Sequence, residues 1–229
     1  MSIYLNADCM NPETGLPSFP DNHFDLAIVD PPYGIDFAKT SGGKKNDKKN
    51  WIDRPKKDWD AERPSREYFA EVLRVSRNQI IWGGNYFADW LPASRCWLIW
   101  DKMQECNGSE FEMAWTSFDT PAKAFRMARA QAYCGKGKFH PNQKPPELYH
   151  FCMKYAKQGD LILDTHVGSA SSLVAFEEMG FEYVGYELDA DYYRDSTARL
   201  ERFRAQPKLF TGTEIFKATQ GEQGTLFEL

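Results

Sequence analysis

The sequence predicts an α/β protein, a mostly parallel sheet with helices on both faces. Three observations carry that prediction. An unbroken apolar run, Leu26-Ala27-Ile28-Val29, is halted by Asp30-Pro31-Pro32. A strand, turn, helix, strand, helix succession runs from Leu161 to Arg204. The length of 229 residues, 42% of them hydrophobic, suits one domain with a sizeable core.

A strand covered on both faces has no polar alternation, which is what Leu26 to Val29 shows, and the prolines end its ladder. Residues 38 to 64 hold many lysines and little apolar periodicity, and they read as a basic mobile loop longer than compact domains usually carry without a function. Phe69, Val72 and Leu73 share a face of a helix over about 65 to 77, followed by a strand at Gln79 to Trp82 and a turn at Gly83-Gly84. Cys96 to Trp100 reads as a strand. Glu112 to Phe118 and Ala122 to Met127, separated by Asp119-Thr120-Pro121, read as a hairpin. Leu148, Phe151, Cys152 and Tyr155 mark a helix ending near Gly159. The strand Leu161-Ile162-Leu163, the turn Asp164 to Ser169, the helix Ala170 to Met179, the strand Tyr183 to Tyr186 and the helix Ala190 to Arg204 then form a βαβα unit of the Rossmann-like, dinucleotide-binding type. Residues 1 to 206 read as the folded domain. Residues 207 to 229 are polar and glycine-containing and read as a flexible tail.

Composition excludes several classes of function. No apolar run reaches the roughly 18 residues of a membrane span, and the start lacks a signal-peptide profile, so a cytoplasmic protein is the expectation. Five widely spaced cysteines, none in a Cys-x-x-Cys pair, speak against a disulfide framework and a zinc site. The formal net charge of -5 hides strong local asymmetry. Residues 39 to 57 hold eight cations against two anions, residues 121 to 146 hold six cations and no anion, and residues 158 to 193 hold eight anions and no cation. A polyanion such as DNA would meet Lys39, Lys44, Lys45, Lys48 and Lys49 in the first segment, and Arg126, Arg129, Lys136 and Lys138 in the second. Solvated lysine loops have the same composition.

Two motifs carry chemistry. Asp164-Thr165-His166-Val167-Gly168-Ser169 sits where a strand gives way to a helix, and Gly168 permits close backbone approach to a ligand. It is not a phosphate loop, because Gly-x-x-x-x-Gly-Lys-Ser/Thr is absent and Asp164 would repel a phosphate while accepting from an ammonium. Glu187, at the end of the next strand, is placed to accept from the two hydroxyls of a ribose. A nucleoside with a cationic tail fits both carboxylates, and S-adenosylmethionine is the usual one; a turn residue and a cap residue would show the same pattern. The second motif is Asp30-Pro31-Pro32-Tyr33. It gathers a carboxylate, a rigidly held carbonyl and an aromatic face around one small volume. The lone pair of an exocyclic amine on a nucleobase must leave conjugation with the ring before it attacks a methyl group, and two acceptors drawing on its hydrogens promote that. Tyr33 would stack on the base after it leaves the duplex.

Asp30-Pro31-Pro32-Tyr33 resembles the catalytic motif of the amino-methylating DNA methyltransferases, and Asp164-x-x-x-Gly168-Ser169 resembles their cofactor loop. The order, catalytic motif first, resembles the permuted β group. His140-Pro141-Asn142-Gln143-Lys144-Pro145 and Asn6-Ala7-Asp8-Cys9 are similar to two further segments of that family. The resemblance implies a metal-free S-adenosylmethionine-dependent transferase acting on the 6-amino group of adenine. It implies that Lys144 lines the methionine end of the cofactor, Asp8 and Cys9 the adenine edge and Glu187 the ribose. Thr165, His166 and Ala170 depart from the proline, phenylalanine and last glycine common in the family loop; His166 is a flat ring suited to covering the cofactor or a hydrogen-bonded structural histidine. The 4-amino group of cytosine needs the same acceptors, and a nucleic-acid-binding subunit without catalysis is the alternative from another class. Residues 38 to 64 and about 101 to 139 are what remain for target recognition, which implies a short recognition sequence or a second copy of the chain in a homodimer. The ending Gln223-Gly224-Thr225-Leu226-Phe227 resembles the peptide by which bacterial proteins dock on the DNA sliding clamp.

Overall fold

The computed structural model describes residues 1–35, 60–103, 109–128, 131, 143–207 and 209–224. Strands β1 (Ile3–Asn6), β2 (Phe24–Val29), β3 (Ser76–Trp82), β4 (Trp97–Asp101), β5 (Phe111–Thr116), β6 (Lys123–Arg126), β7 (Leu161–Asp164) and β8 (Glu182–Glu187) form one sheet in the order β1-β8-β7-β2-β3-β5-β4-β6. Only β5 runs against the others, being antiparallel to both of its neighbours. Five helices accompany the sheet among the described residues: α1 (Arg66–Val75), α2 (Pro146–Cys152), α3 (Ser171–Glu178), α4 (Ala190–Arg204) and α5 (Gly212–Gly224). None is long and apolar enough to cross a membrane.

The unbroken apolar run of β2 follows from its position. Leu26 and Ile28 enter a core with residues of α2 and α3, whereas Ala27 and Val29 enter a second core with Tyr68, Phe69 and Val72 of α1. The side chains alternate between the faces, and both faces are dry. Ser65 caps α1 by accepting from the Tyr68 amide, and Asp189 caps α4 by accepting from the Asp191 and Tyr192 amides. Arg202 and Arg204 complement the dipole in the last turn of α4.

This topology creates the site. From β2 the chain passes through α1 to β3 on one side, and from β7 it passes through α3 to β8 on the other, with the helices on opposite faces. Adjacent strands β2 and β7 therefore diverge in their connections, and a crevice opens beyond their carboxyl ends.

Two readings from the sequence are corrected. The segments around 112–118 and 122–127 do not pair with each other. β5 lies between β3 and β4, and β6 joins the far side of β4 in parallel register, Leu98 opposite Lys123 through Asp101 opposite Arg126. Burial of Leu98 and Trp100 on β4 makes it an interior strand that needs a neighbour on each edge. Phe111–Thr116 and Lys123–Arg126 thus extend the central sheet. The second correction is the tail, which carries α5 rather than extended chain. Thr211 and Glu214 form a reciprocal capping box: the Thr211 amide donates to Glu214 Oε2 at 2.8 Å and the Glu214 amide donates to Thr211 Oγ1 at 3.3 Å. Phe216 is buried edge-on against Phe181, and Gly212 lies so close to Gly180 that a side chain on it would strike the backbone.

Candidate active site

The crevice holds a cavity of about 450 Å³, within the range of small-molecule sites. Ala7, Asp8 and Cys9 follow β1, Asp30 to Tyr33 follow β2, Thr165 to Ser169 follow β7, and Glu187 to Asp189 end and follow β8. Lys144, Tyr149 and Tyr192 complete the wall. Residues from five separate stretches of sequence meet here because parallel strands deliver their carboxyl ends to one edge.

On the first wall, the Glu187 carboxylate accepts from the Gly168 amide at 2.8 Å and from the Asp189 amide at 2.9 Å. These bonds fix its direction. Asp8 accepts from the Met10 amide at 2.8 Å, and Cys9 is a buried thiol pushed by burial up to about 12. Leu188 stands on the rim with 71% of its surface exposed. His166 is held neutral, burial lowering it to about 4 against the opposing charge of Asp8, and its Nδ1 lies 2.9 Å from Thr165 Oγ1. Thr165 in turn meets the Tyr68 hydroxyl of α1 at 2.6 Å.

Asp164 is placed differently from the rest of its motif. Its carboxylate lies beneath the loop, outside the cavity wall, accepting from Ser172 Oγ at 2.5 Å and from the His166 amide at 3.0 Å. Burial pushes its carboxyl up to about 7 despite those two donors, with Asp30 and Glu187 adding to the rise. It shapes the loop. Ala170 follows in left-handed backbone at φ +57°, the conformation for which glycine is the usual residue.

On the second wall, Asp30 Oδ1 accepts from the Tyr33 hydroxyl at 2.6 Å, and Asp30 Oδ2 lies 2.5 Å from Lys144 Nζ. Burial raises the Asp30 carboxyl, and Lys144 opposes that rise. Lys144 remains an ammonium, because Asp30 and Glu112 outweigh its burial. Tyr33 stacks on Tyr86 at 5.0 Å and 16°, with its edge against Gly83. The sequence reading missed two supports of this wall. Asp60, 1% exposed, accepts from the Tyr33 amide at 2.8 Å and the Gly34 amide at 3.2 Å. Glu112 on β5 lies 3.1 Å from Lys144 and 3.0 Å from Lys102. Asp60 falls in the segment with little apolar periodicity and Glu112 in a strand with no recognisable motif, so only the fold brings them in.

Of the cationic candidates, Arg126 lies at the carboxyl end of β6, largely exposed and 3.5 Å from Asp101. Lys39, Lys44, Lys45, Lys48, Lys49, Arg129, Lys136 and Lys138 lie outside the described residues, as do Leu226 and Phe227.

Fold and site define a doubly wound α/β protein whose switch-point cleft joins an acidic pocket to an Asp-Pro-Pro-Tyr turn. Residues 92–198 match the family model N6_N4_Mtase, described as DNA methylase. The chain is 26% identical over 145 residues to the Type II methyltransferase M2.DpnII of Streptococcus pneumoniae, a match covering 62% of this chain and 49% of that protein. The chain thus spans about half the length of that relative. Two solved structures share the fold. The M1.HpyAVI–SAM complex has a TM-score of 0.58 at 15% identity, covering 87% of this chain and 99% of that one. The PvuII DNA methyltransferase, described as cytosine-N4-specific, has a TM-score of 0.56 at 12% identity, covering 96% and 93%. Residues 92–198 are thus similar to the amino-methylating DNA methyltransferases of the N6/N4 type, and the two solved structures share the fold in which that segment lies.

Proposed function

We propose that the chain transfers the methyl group of S-adenosylmethionine to the 6-amino group of adenine in DNA. The observation that carries this reading is the single cavity with Glu187 and the loop 165–169 on one wall and Asp30 to Tyr33 on the other. The residues suit the cofactor. Glu187 offers a fixed acceptor for ribose hydroxyls, Asp8 and Cys9 edge the place of the adenine, and Leu188 and the neutral ring of His166 offer it apolar cover. When bound, S-adenosylmethionine supplies a methyl group already activated on a sulfonium.

The chain's own residues act on the amine. Asp30 and the Pro31 carbonyl draw on its two hydrogens, which turns the nitrogen lone pair out of the ring and stabilises positive charge developing there. Tyr33, anchored at its hydroxyl and its ring, gives the extruded base a flat surface. Aspartate at position 30 favours adenine by resemblance to the family motif. Arg126 and the basic segments supply phosphate contacts that position DNA without reading its sequence.

Incubating unmethylated DNA with the protein and labelled cofactor, then separating the nucleosides, tests this. N6-methyldeoxyadenosine is the expected product. N4-methyldeoxycytidine would overturn the choice of base, and no transfer would overturn the activity. Asp30→Ala abolishes transfer on this reading while leaving cofactor affinity largely intact. Gln223, in the last turn of α5, and Leu226 and Phe227, which follow it in sequence, we assign to a sliding-clamp peptide. Because α5 packs on the core, the clean test is Leu226→Ala/Phe227→Ala in a pull-down with purified clamp; retention equal to that of the unsubstituted chain removes the assignment.

A further inference from the structure

Glu112 has no part in the family motifs, yet it adjoins the reacting end of the cavity. Because β5 is antiparallel, its amino-terminal end lies at the edge where the other strands deliver their carboxyl ends, and this brings Glu112 beside the Asp30 turn. Four charges of alternating sign result. Lys102 Nζ is 3.0 Å from Glu112 Oε1, Glu112 Oε2 is 3.1 Å from Lys144 Nζ, and Lys144 Nζ is 2.5 Å from Asp30 Oδ2.

The Lys144 side chain is 3% exposed, so its charge cannot escape to water and must keep an anionic partner wherever it moves. A target amine that uses Asp30 as its acceptor must share an oxygen that Lys144 already holds, while the Tyr33 hydroxyl sits on the other. Release of the ammonium by Asp30 clears that oxygen for the entering amine. Glu112 is the second carboxylate within reach, and Lys102 pins its far oxygen so that the near one keeps facing Lys144. Burial would raise Glu112, but Lys144 and Lys102 hold its carboxyl down at about 2, so it is always an anion when needed.

We propose that Glu112 is a positioning residue that receives the Lys144 ammonium when the target amine takes its place on Asp30. The inference rests on the amine-methylating reading of the site. Return of Lys144 to Asp30 after transfer would then help expel the methylated amine.

Two measurements on the full-length chain test it. The first follows protonation of Lys144 by carbon-13 NMR of its Cε, assigned by loss of the signal in Lys144→Met. In Asp30→Asn, Glu112 alone keeps the ammonium protonated past about pH 10. In Asp30→Asn/Glu112→Gln it titrates about two pH units lower, a roughly 100-fold loss of proton affinity. Coincident titrations in the two variants would overturn the proposal. The second is kinetic. Glu112→Gln lowers kcat about tenfold or more at unchanged cofactor Kd, and adds nothing to the loss in Lys144→Met. Additive losses, or a parallel loss of cofactor binding, would overturn it. Absence of transfer by the unsubstituted chain would refute the proposed function instead, and the Lys144 titration would still decide whether Glu112 holds the ammonium.

Discussion

Replacing Gly83 with alanine should displace Tyr33 without touching any group that bonds a ligand. Gly83 has φ +71°, and a Cβ there would stand 2.2 Å from Tyr33 Cε1 and 2.5 Å from Tyr33 Cδ1. Carbon atoms in contact sit about 3.5 to 4 Å apart, so the ring must retreat by more than about 1 Å. It cannot do so freely, since it is also held by the Tyr86 stack, the edge of Phe87, the 2.6 Å bond to Asp30 and Lys144 Nζ at 3.1 Å from its hydroxyl. Left-handed backbone for alanine costs about 1 kcal/mol and forced repacking about 1 to 3 kcal/mol more. For a chain of this size that corresponds to a fall in Tm of roughly 4 to 16 °C. A misplacement of about 1 Å at a reacting centre costs on the order of 100-fold in rate. The assay is single-turnover methyl transfer beside cofactor binding by calorimetry, both below the lowered Tm. Transfer slowed about 100-fold with cofactor affinity preserved is the expected result. Transfer within about threefold of the unsubstituted chain would refute the claim that the position of Tyr33 matters.

Asp60→Ala removes the acceptor shared by the Tyr33 and Gly34 amides, and should destabilise the protein by about 1 to 3 kcal/mol in urea unfolding while slowing transfer. Ala170→Gly relieves left-handed strain at the start of α3 and should raise Tm by about 1 to 4 °C, read by calorimetry; a lower Tm would contradict the strain. Asp164 and His166 impose opposite pH dependences on stability. The Asp164 carboxyl, raised from 3.8 to about 7, contributes stability that is full below its unfolded pKa and is lost as pH rises through about 7. His166, lowered from 6.5 to about 4, contributes stability that is full above 6.5 and is lost as pH falls through about 4. Asp164→Asn removes the first effect, so relative to the unsubstituted chain it should gain up to roughly 4 kcal/mol between pH 4 and pH 8, at about 1.4 kcal/mol per unit. Parallel unfolding curves across that range would show that Asp164 is not buried as described.

Much of this site can be read from residues near one another in sequence. The Asp30-Pro31-Pro32-Tyr33 turn and the loop 164–169 each follow a buried strand, and burial on both faces writes itself as an unbroken apolar run. The capping box of α5 is also written locally, as Thr211-x-x-Glu214, within a stretch that is otherwise polar and glycine-containing. What sequence could not show is pairing at a distance. Nothing local in Asp60 tells that it will hold the Tyr33 amide, and nothing in Glu112 tells that an antiparallel strand will bring it to Lys144. The setting of Asp164 also depends on tertiary detail, because Ser172, in the first turn of α3, donates to its carboxylate.

The central claim is that one cleft holds the methyl donor against Glu187 and presents the amine to Asp30. A crystal structure of the full chain grown with S-adenosylmethionine measures it directly. The expected result is ribose hydroxyls within hydrogen-bond distance of Glu187 and the sulfonium methyl facing the Asp30-Pro31 turn. A cofactor bound elsewhere, or one whose methyl group faces away from Asp30, would contradict it.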